Sequence, residues 1–268
     1  MLPGFLSPLN HHRGLIWKLA GRDIAGRYRG SALGLVWSFV QPLMMLAVYT
    51  YVFGVILSVR WEDRLQTGGE VAFAVILFSG LLVHGLFTEC FNRAPTLISD
   101  NVNFVKKVIF PLEILPYTVL LSALFHAVVS VAVLLIAHLV LNQTMAWTVL
   151  LLPVTLLPLL IMIMGVSWLL ASLGVFLRDI GQITTVLGTV MLFVSPIFFP
   201  VERMPESLRG LVYLNPISVI VDAVRAVVLF GEMPDWAALG VYTIVALIVA
   251  QLGYWWFQRT RHGFADVL

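Results

Sequence analysis

Six long apolar runs, almost free of charge, govern what this chain can become: Leu33 to Val59, Val71 to Phe91, Leu112 to Leu141, Trp147 to Phe176, Ile183 to Pro200 and Ala237 to Phe257. A bilayer core about 30 Å thick is crossed by roughly 20 helical residues, so runs of this length read as spans. Inside hydrocarbon every backbone polar group must be satisfied within the element, which favours helices. Of the 268 residues, 60% are hydrophobic and 11% charged, against roughly 25% charged in an ordinary soluble domain. Water is therefore not the main solvent. The expected fold is an all-α membrane protein with six transmembrane helices in a domain over 33–258. A cytoplasmic N-terminus (1–32) precedes it and a short cytoplasmic tail (259–268) follows.

An even number of spans puts both termini on one side, and the basic residues indicate which. Eleven of the sixteen lie in segments 1–32, 92–111, 177–182 and 258–268: Arg13, Lys18, Arg22, Arg27, Arg29, Arg93, Lys106, Lys107, Arg178, Arg259 and Arg261. Arg60, Arg64, Arg203, Arg209 and Arg225 lie in the opposite segments. Both termini are expected in the cytoplasm. No cleavable signal peptide is expected, because basic residues are scattered where its apolar core would lie.

Three segments outside the spans carry structure of their own. From Arg13 to Arg29, Lys18, Arg22 and Arg29 form one helical stripe and Ile16, Ala20, Ile24 and Tyr28 another. This spacing predicts an amphipathic helix in the membrane interface; an ordinary positive-inside anchor is the plainer reading. The loop 92–111 has room for one short helix. Segment 201–235 is apolar but interrupted by Pro205, Arg209, Pro216, Asp222, Arg225 and Pro234. It is expected to form a re-entrant extracytoplasmic helical hairpin before the last span. Asn215 followed by Pro216 would cap a helix running to about Phe230, and a surface-lying loop helix is the alternative.

Catalytic chemistry finds little support. Lys18, Lys106 and Lys107 are the only lysines, and none follows the glycines of a phosphate-binding loop. Zinc-protease and nucleophile-elbow motifs are missing from the sequence, so no metal is expected. The lone Cys90 offers neither an intramolecular disulfide nor a cysteine metal cluster. His84, His126 and His138 in apolar segments read as hydrogen-bonded structural residues. Glu89 and Glu113, near span ends, read as structural or coupling residues rather than ion ligands. Aromatic residues make up 12% of the chain. Most belong to interfacial belts or helix packing, but Trp37, Tyr49, Phe53, Phe193, Phe198 and Phe199 are candidates for an aromatic path on which sugar rings stack.

The run Arg27 to Trp37 ending in Pro42, the run Val108 to Pro116, Phe176 to Ile180, Ser195-Pro196-Ile197 through Pro200, and Asn215-Pro216 followed by Asp222-Ala223 and Arg225 resemble, in order, the membrane subunit of type-two ABC exporters of bacterial surface polysaccharides. The likeness leans to exporters of O-antigen type. Teichoic-acid exporters share the layout, and lipid-anchored capsule exporters are more distant in these blocks. The resemblance implies a multi-pass protein of the bacterial cytoplasmic (inner) membrane, a homodimer acting with two copies of a separate ATP-binding subunit on a lipid-linked polysaccharide. No cofactor is expected in this chain, since ATP and Mg²⁺ would sit on the ATPase. Nucleic acid is not an expected partner. The resemblance further implies that Arg13 to Arg29 and Thr96 to Lys107 face the ATPase, with Lys18, Asp100, Asn101, Asn103, Lys106 and Lys107 as coupling candidates. It makes Met204 to Phe230 the extracytoplasmic gate, with Asn215, Pro216, Asp222 and Arg225 in it.

On this reading a pyrophosphate head meets Arg22, Arg27 and Arg29 at the cytoplasmic interface, unless these contact anionic lipid or the ATPase instead. Spans one and five of two protomers line the path, with Gly34, Gly181 and Gly188 permitting close approach. A permease for a small amphiphile or drug is the alternative, and an ion-coupled carrier or channel a more remote one.

Overall fold

The computed structural model of the protein describes residues 4–56, 70–106, 110–198 and 206–268. A short 3₁₀ turn leads into α1 (Ser7–His11) and α2 (Arg13–Tyr28). Then come α3 (Trp37–Tyr49), loosening into a π-helical stretch over Thr50–Ile56, α4 (Glu70–Arg93), α5 (Val102–Val105), α6 (Leu115–Asn142) and α7 (Leu152–Phe176). The chain continues with α8 (Ile180–Val194), α9 (Glu206–Leu214), α10 (Ser218–Arg225) with a π turn over Ala226–Phe230, α11 (Trp236–Thr260) and α12 (Phe264–Val267). Among the described residues there is no strand. Five stretches are long and apolar enough to cross a membrane: Gly34–Phe53, Phe73–Arg93, Leu112–Leu141, Trp147–Phe176 and Trp236–Val267. With the shorter apolar α8 they make the all-α architecture of about six spans that the sequence predicts. Arg60, Arg64, Lys107, Phe199, Arg203 and Met204, the last two residues of the fifth run and the segment 201–205 that opens the expected hairpin lie outside the described residues.

The expected run Ile183 to Pro200 is divided. Helix α8 starts three residues earlier and stops at Val194, so its 15 residues cover only about 22 Å. Pro196 is the cause: it disfavours the helical conformation of the residue before it, and Ser195 is extended at φ −84° and ψ 157°. A break at this depth leaves carbonyls without helical partners. Neighbouring side chains supply them. Ser195 Oγ donates to Leu192 O at 3.0 Å, the carbonyl that Pro196 cannot serve, and the buried Arg225 guanidinium donates to Pro196 O and Ile197 O, while Asn215 Nδ2 adds a bond of 2.9 Å to Met191 O. Arg225 also reaches Ile76 O of α4 at 3.3 Å.

That contact fixes where α10 lies. Ile76 is six residues inside α4, about 9 Å from its first turn, and Ile217, Ile220, Val221 and Val227 are fully buried. Segment 215–230 therefore turns back into the protein, with its irregular backbone covered as membrane depth requires, while Tyr213 and Leu214 of α9 stay exposed. The helix begins at Ser218, two residues after the expected Pro216, because Asn215 Oδ1 accepts from Ile217 N at 3.2 Å in a tight turn. Tyr242 Oη donates to Pro216 O at 2.6 Å and Thr148 Oγ1 to Val227 O at 2.7 Å, pinning both ends. Gly231, at φ +67°, ends the segment in the left-handed conformation that glycine accepts most readily.

Helices α7 and α11 form the closest pair. A Cβ at Gly253 would lie 2.1 Å from Gly165 O, and one at Gly165 would lie 2.6 Å from the Ala250 backbone. Small residues at a crossing let backbones meet without losing van der Waals contact, and a Ser172–Thr260 hydroxyl bond of 2.7 Å closes the end of the pair that holds the C-terminus of α11. The glycines expected to let two copies approach make no tight contact within this chain. Gly34 and Gly181 have open space where a Cβ would go, while Gly188 meets Thr88 at 3.4 Å.

Helix α2 has the predicted faces. Ile16 and Ala20 are buried, Ile24 and Tyr28 half-buried, and Lys18, Arg22 and Arg29 exposed. Its inner face packs on α6 rather than resting only on lipid. The segments read as simple cytoplasmic ends are docked. Phe5 is buried beside Trp168, 6.4 Å between rings, and its carbonyl accepts from Tyr117 Oη. At the other end Phe264 is fully buried against Phe257 and Phe176, and Arg261 pairs with Glu113 at 3.2 Å.

Candidate functional site

Where α2, α4 and α6 meet, charges cluster on apolar helices. Arg93, on the last turn of α4, donates two hydrogen bonds to Asp23 of α2, at 3.0 and 2.7 Å. One turn earlier, Glu89 accepts from Arg27 of α2 and lies 3.6 Å from Arg93. Arg27 also donates to His126 Nδ1 of α6 at 3.2 Å. The same Nδ1 lies 3.6 Å from Glu89 Oε2. Two arginines thus face two carboxylates, and the cluster is formally neutral when His126 is. Burial pushes the Asp23 carboxyl up, but the hydrogen bonds and charge of Arg93, with the charge of Arg27, hold it below its ordinary value of 3.8.

Arg27, Glu89 and His126 of this cluster line a cavity of about 240 Å³ between α2, α3, α4 and α6. Above Arg27, Glu89 and His126 its lining includes the hydroxyls or amide of Ser38, Gln41 and Ser130. Tyr28 and Tyr49 add two phenol rings. One guanidinium, several neutral hydrogen-bonding groups and flat aromatic surface suit a ligand with an anionic head and hydroxylated rings. The three arginines singled out for an anionic head are separated. Arg27 lines this cavity, Arg22 lies 5.9 Å from the Phe104 ring on the other side of α2, and Arg29 ends α2 exposed.

Arg22 and Phe104 border a second cavity of about 290 Å³ between α2 and loop 94–106, lined also by Asp23, Arg93, Asp100 and Asn101. The loop holds the expected short helical segment, Ser99–Asn101 followed by α5. Asp100, Asn103 and Lys106 are exposed, Asn101 donates to Leu97 O at 2.9 Å, and Lys18 is exposed on α2 one turn before Arg22. Lys107 lies outside the described residues. The loop base is rigid, because a Cβ at Gly174 of α7 would lie 1.9 Å from Pro95 O.

Towards the far end of α3 and α8 the structure joins several expected aromatics. Tyr49 and Phe53 lie 6.5 Å apart, Phe53 and Phe198 6.2 Å, and Phe193 and Phe198 5.7 Å in a stacked pair. Phe73 of α4 joins at 5.7 Å from Phe53. Trp37 stands apart, twelve residues and about 18 Å before Tyr49 on the same helix, and Phe199 lies outside the described residues. Phe193, at 58% exposed, and the apolar faces of α3 and α8 are open: only Ser38 is buried in α3, and only Thr184 and Gly188 in α8.

Of the hairpin candidates, Asn215, Pro216 and Arg225 hold the fold of the break, whereas Asp222 is on an exposed side of α10. Sequence reading gave Glu89 and His126 only structural or coupling roles and missed Phe73, Ser38, Gln41 and Ser130. Polar residues inside an apolar span were the available signal. Their pairing was hidden by separations of 62 and 99 residues from Arg27.

A sequence profile of the family described as ABC-2 type transporter matches residues 14–229. The O-antigen export system permease protein RfbA of Myxococcus xanthus is 29% identical over 260 residues, 96% of each chain. A protein of the same name from Klebsiella pneumoniae is 22% identical over 256 residues, 95% of each chain. The polysialic acid transport protein KpsM of Escherichia coli is 24% identical over 244 residues, 90% of each.

Proposed function

The chain belongs to the ABC-2 type transporter family, and from that premise we propose that it is the permease subunit of an ATP-driven exporter of lipid-linked polysaccharide of O-antigen type. The observation carrying this reading is the match to an O-antigen export permease across 96% of both chains. Cargo moves from the cytoplasmic to the extracytoplasmic side of the bacterial inner membrane, with both termini in the cytoplasm. ATP and Mg²⁺ are handled by a separate ATP-binding subunit. The working unit is a homodimer with two such subunits, and a second copy covers the open faces of α3 and α8. The two aromatic ladders then flank one path, in which sugar rings stack while sliding, since a ring face binds without a fixed hydrogen-bond register. α2 and loop 94–106 form the face on which the ATPase acts, selecting between two permease states by differential contact. Arg27 meets the pyrophosphate head, and the hairpin 206–230 closes the far end.

Deleting this chain in its host tests the proposal. The expected result is polymer on its lipid carrier accumulating inside the cell, with surface polymer restored by a plasmid copy. Surface polymer that persists, alongside lost efflux of a small amphiphile, overturns it.

A further inference from the structure

We propose that Glu89 is an internal stand-in for the anionic head of the cargo: it occupies Arg27 in the resting permease and is displaced when a lipid pyrophosphate enters the cavity. This rests on the reading of the cargo given above and names the group that regulates its binding site.

Three observations and one chemical comparison carry the proposal. Arg27 lines a cavity of about 240 Å³ with one terminal nitrogen on Glu89 and the other on His126 Nδ1, so both ends of its fork are at the site but already engaged. A phosphate presents more acceptor oxygens to that fork than one carboxylate oxygen does, and charge-assisted pairs with arginine are the strong ones. Glu89 has somewhere to go. Its Oε1 lies 3.6 Å from Arg93, which stays charged and sits on the same helix one turn away. Arg93 already holds Asp23 through both terminal nitrogens, so in the displaced state two carboxylates share one guanidinium. That arrangement is less favourable than the resting one, and it supplies a restoring force that expels the head after transfer. No proton need be gained or lost. The exchange replaces one Arg27 hydrogen bond with another and moves one Glu89 oxygen by a side-chain rotation.

The arrangement also selects its ligand. With Glu89 in place the cluster is neutral, so a singly charged anion gains little by competing for Arg27. A pyrophosphate carries enough charge and enough oxygens to displace the carboxylate. The Gln41 amide and the hydroxyl oxygens of Ser38 and Ser130, whose protons go to Leu35 O and His126 O, remain for the first sugar.

The test uses the permease with its ATP-binding subunits in lipid nanodiscs, titrated with a polyprenyl pyrophosphate and, in a parallel arm, with inorganic pyrophosphate. E89Q frees Arg27 and leaves a net positive cluster. It should lower the half-saturating concentration of the lipid pyrophosphate about tenfold, while export from proteoliposomes slows because release is impaired. R27Q should raise the half-saturating concentration at least tenfold, R27Q/E89Q should match R27Q, and E89D should behave as wild type. Unchanged binding in E89Q, or a loss in E89Q equal to that in R27Q, overturns the proposal and leaves the pair as a clamp holding α2 on α4. Inorganic pyrophosphate that binds the wild-type complex as tightly as the lipid pyrophosphate overturns the lipid head as the ligand. A wild-type complex that exports polysaccharide but binds no polyprenyl pyrophosphate rejects this site and spares the export reading. One that exports no polysaccharide rejects that reading first.

Discussion

Single side chains do two kinds of work here, satisfying backbone at a break and fastening one helix to another. Arg225 is the first kind. Its two terminal nitrogens serve three carbonyls from two segments, and loss of a buried charged hydrogen bond costs about 1.5–3 kcal/mol. R225Q should therefore lower the thermal midpoint clearly in detergent. R225K should not rescue it, because an ammonium on a flexible stem cannot reproduce a planar fork. A wild-type midpoint in R225K would show that charge alone suffices. Asp23 is the second kind. Its carboxyl titrates below 3.8 when docked on Arg93, so its contribution is fully present above the unfolded value and is lost as pH falls through the folded one. Both partners are about one-third exposed, so screening keeps the contribution small, about 1 kcal/mol or less. The midpoint difference between wild type and D23N should stay constant from about pH 5 to pH 8 and vanish in more acid solution. A difference that changes near neutrality would assign the effect to another group.

Helices meet where sequence permits backbone contact, and α11 carries its own control for that statement. G253A places a methyl 2.1 Å from Gly165 O, whereas G240A meets nothing within 4 Å on the same helix. Overpacking a tight contact costs about 1–3 kcal/mol, so G253A should unfold at distinctly lower temperature and G240A at the wild-type temperature or slightly above. Equal midpoints would mean that the crossing relaxes freely. These crossings were not legible in the sequence, because the position of a glycine does not show which face of a helix a neighbour covers. What the sequence did reveal were elements fixed by their own residues. The apolar runs have spanning length, Ile16 and Ala20 mark the inner face of α2, and Asn215-Pro216 starts the inward helix. Contacts between distant segments were hidden, as with Arg27 on Glu89 and Phe5 beside Trp168. The early end of α8 was readable at Pro196, but an unbroken apolar composition through Phe199 outweighed it.

At the scale of the whole molecule, the helix ends on one side are tied into a single rigid platform. Asp23 fastens α2 to α4 through Arg93, Pro95 abuts α7 at Gly174, Arg261 fastens α11 to Glu113, and Phe264 fills the space beside Phe176. From that platform α4 runs as one helix to Ile76, whose carbonyl Arg225 holds. A push on loop 94–106 can thus reach the hairpin through a stiff rod about 26 Å long, the rise of the seventeen residues from Ile76 to Arg93. The exposed tip residues Asp100, Asn103 and Lys106 are free of that platform, so replacing all three with alanine should leave folding, and the proposed dimer, intact. If they are where the ATP-binding subunit grips, export should stop, and ATP hydrolysis by the assembled complex should cease to respond to the lipid-linked cargo. Size-exclusion chromatography with light scattering, beside an export assay in proteoliposomes, separates the outcomes. A folded dimer without export supports transmission through the loop; loss of the dimer would make these residues structural, and full export would move the coupling contact to α2.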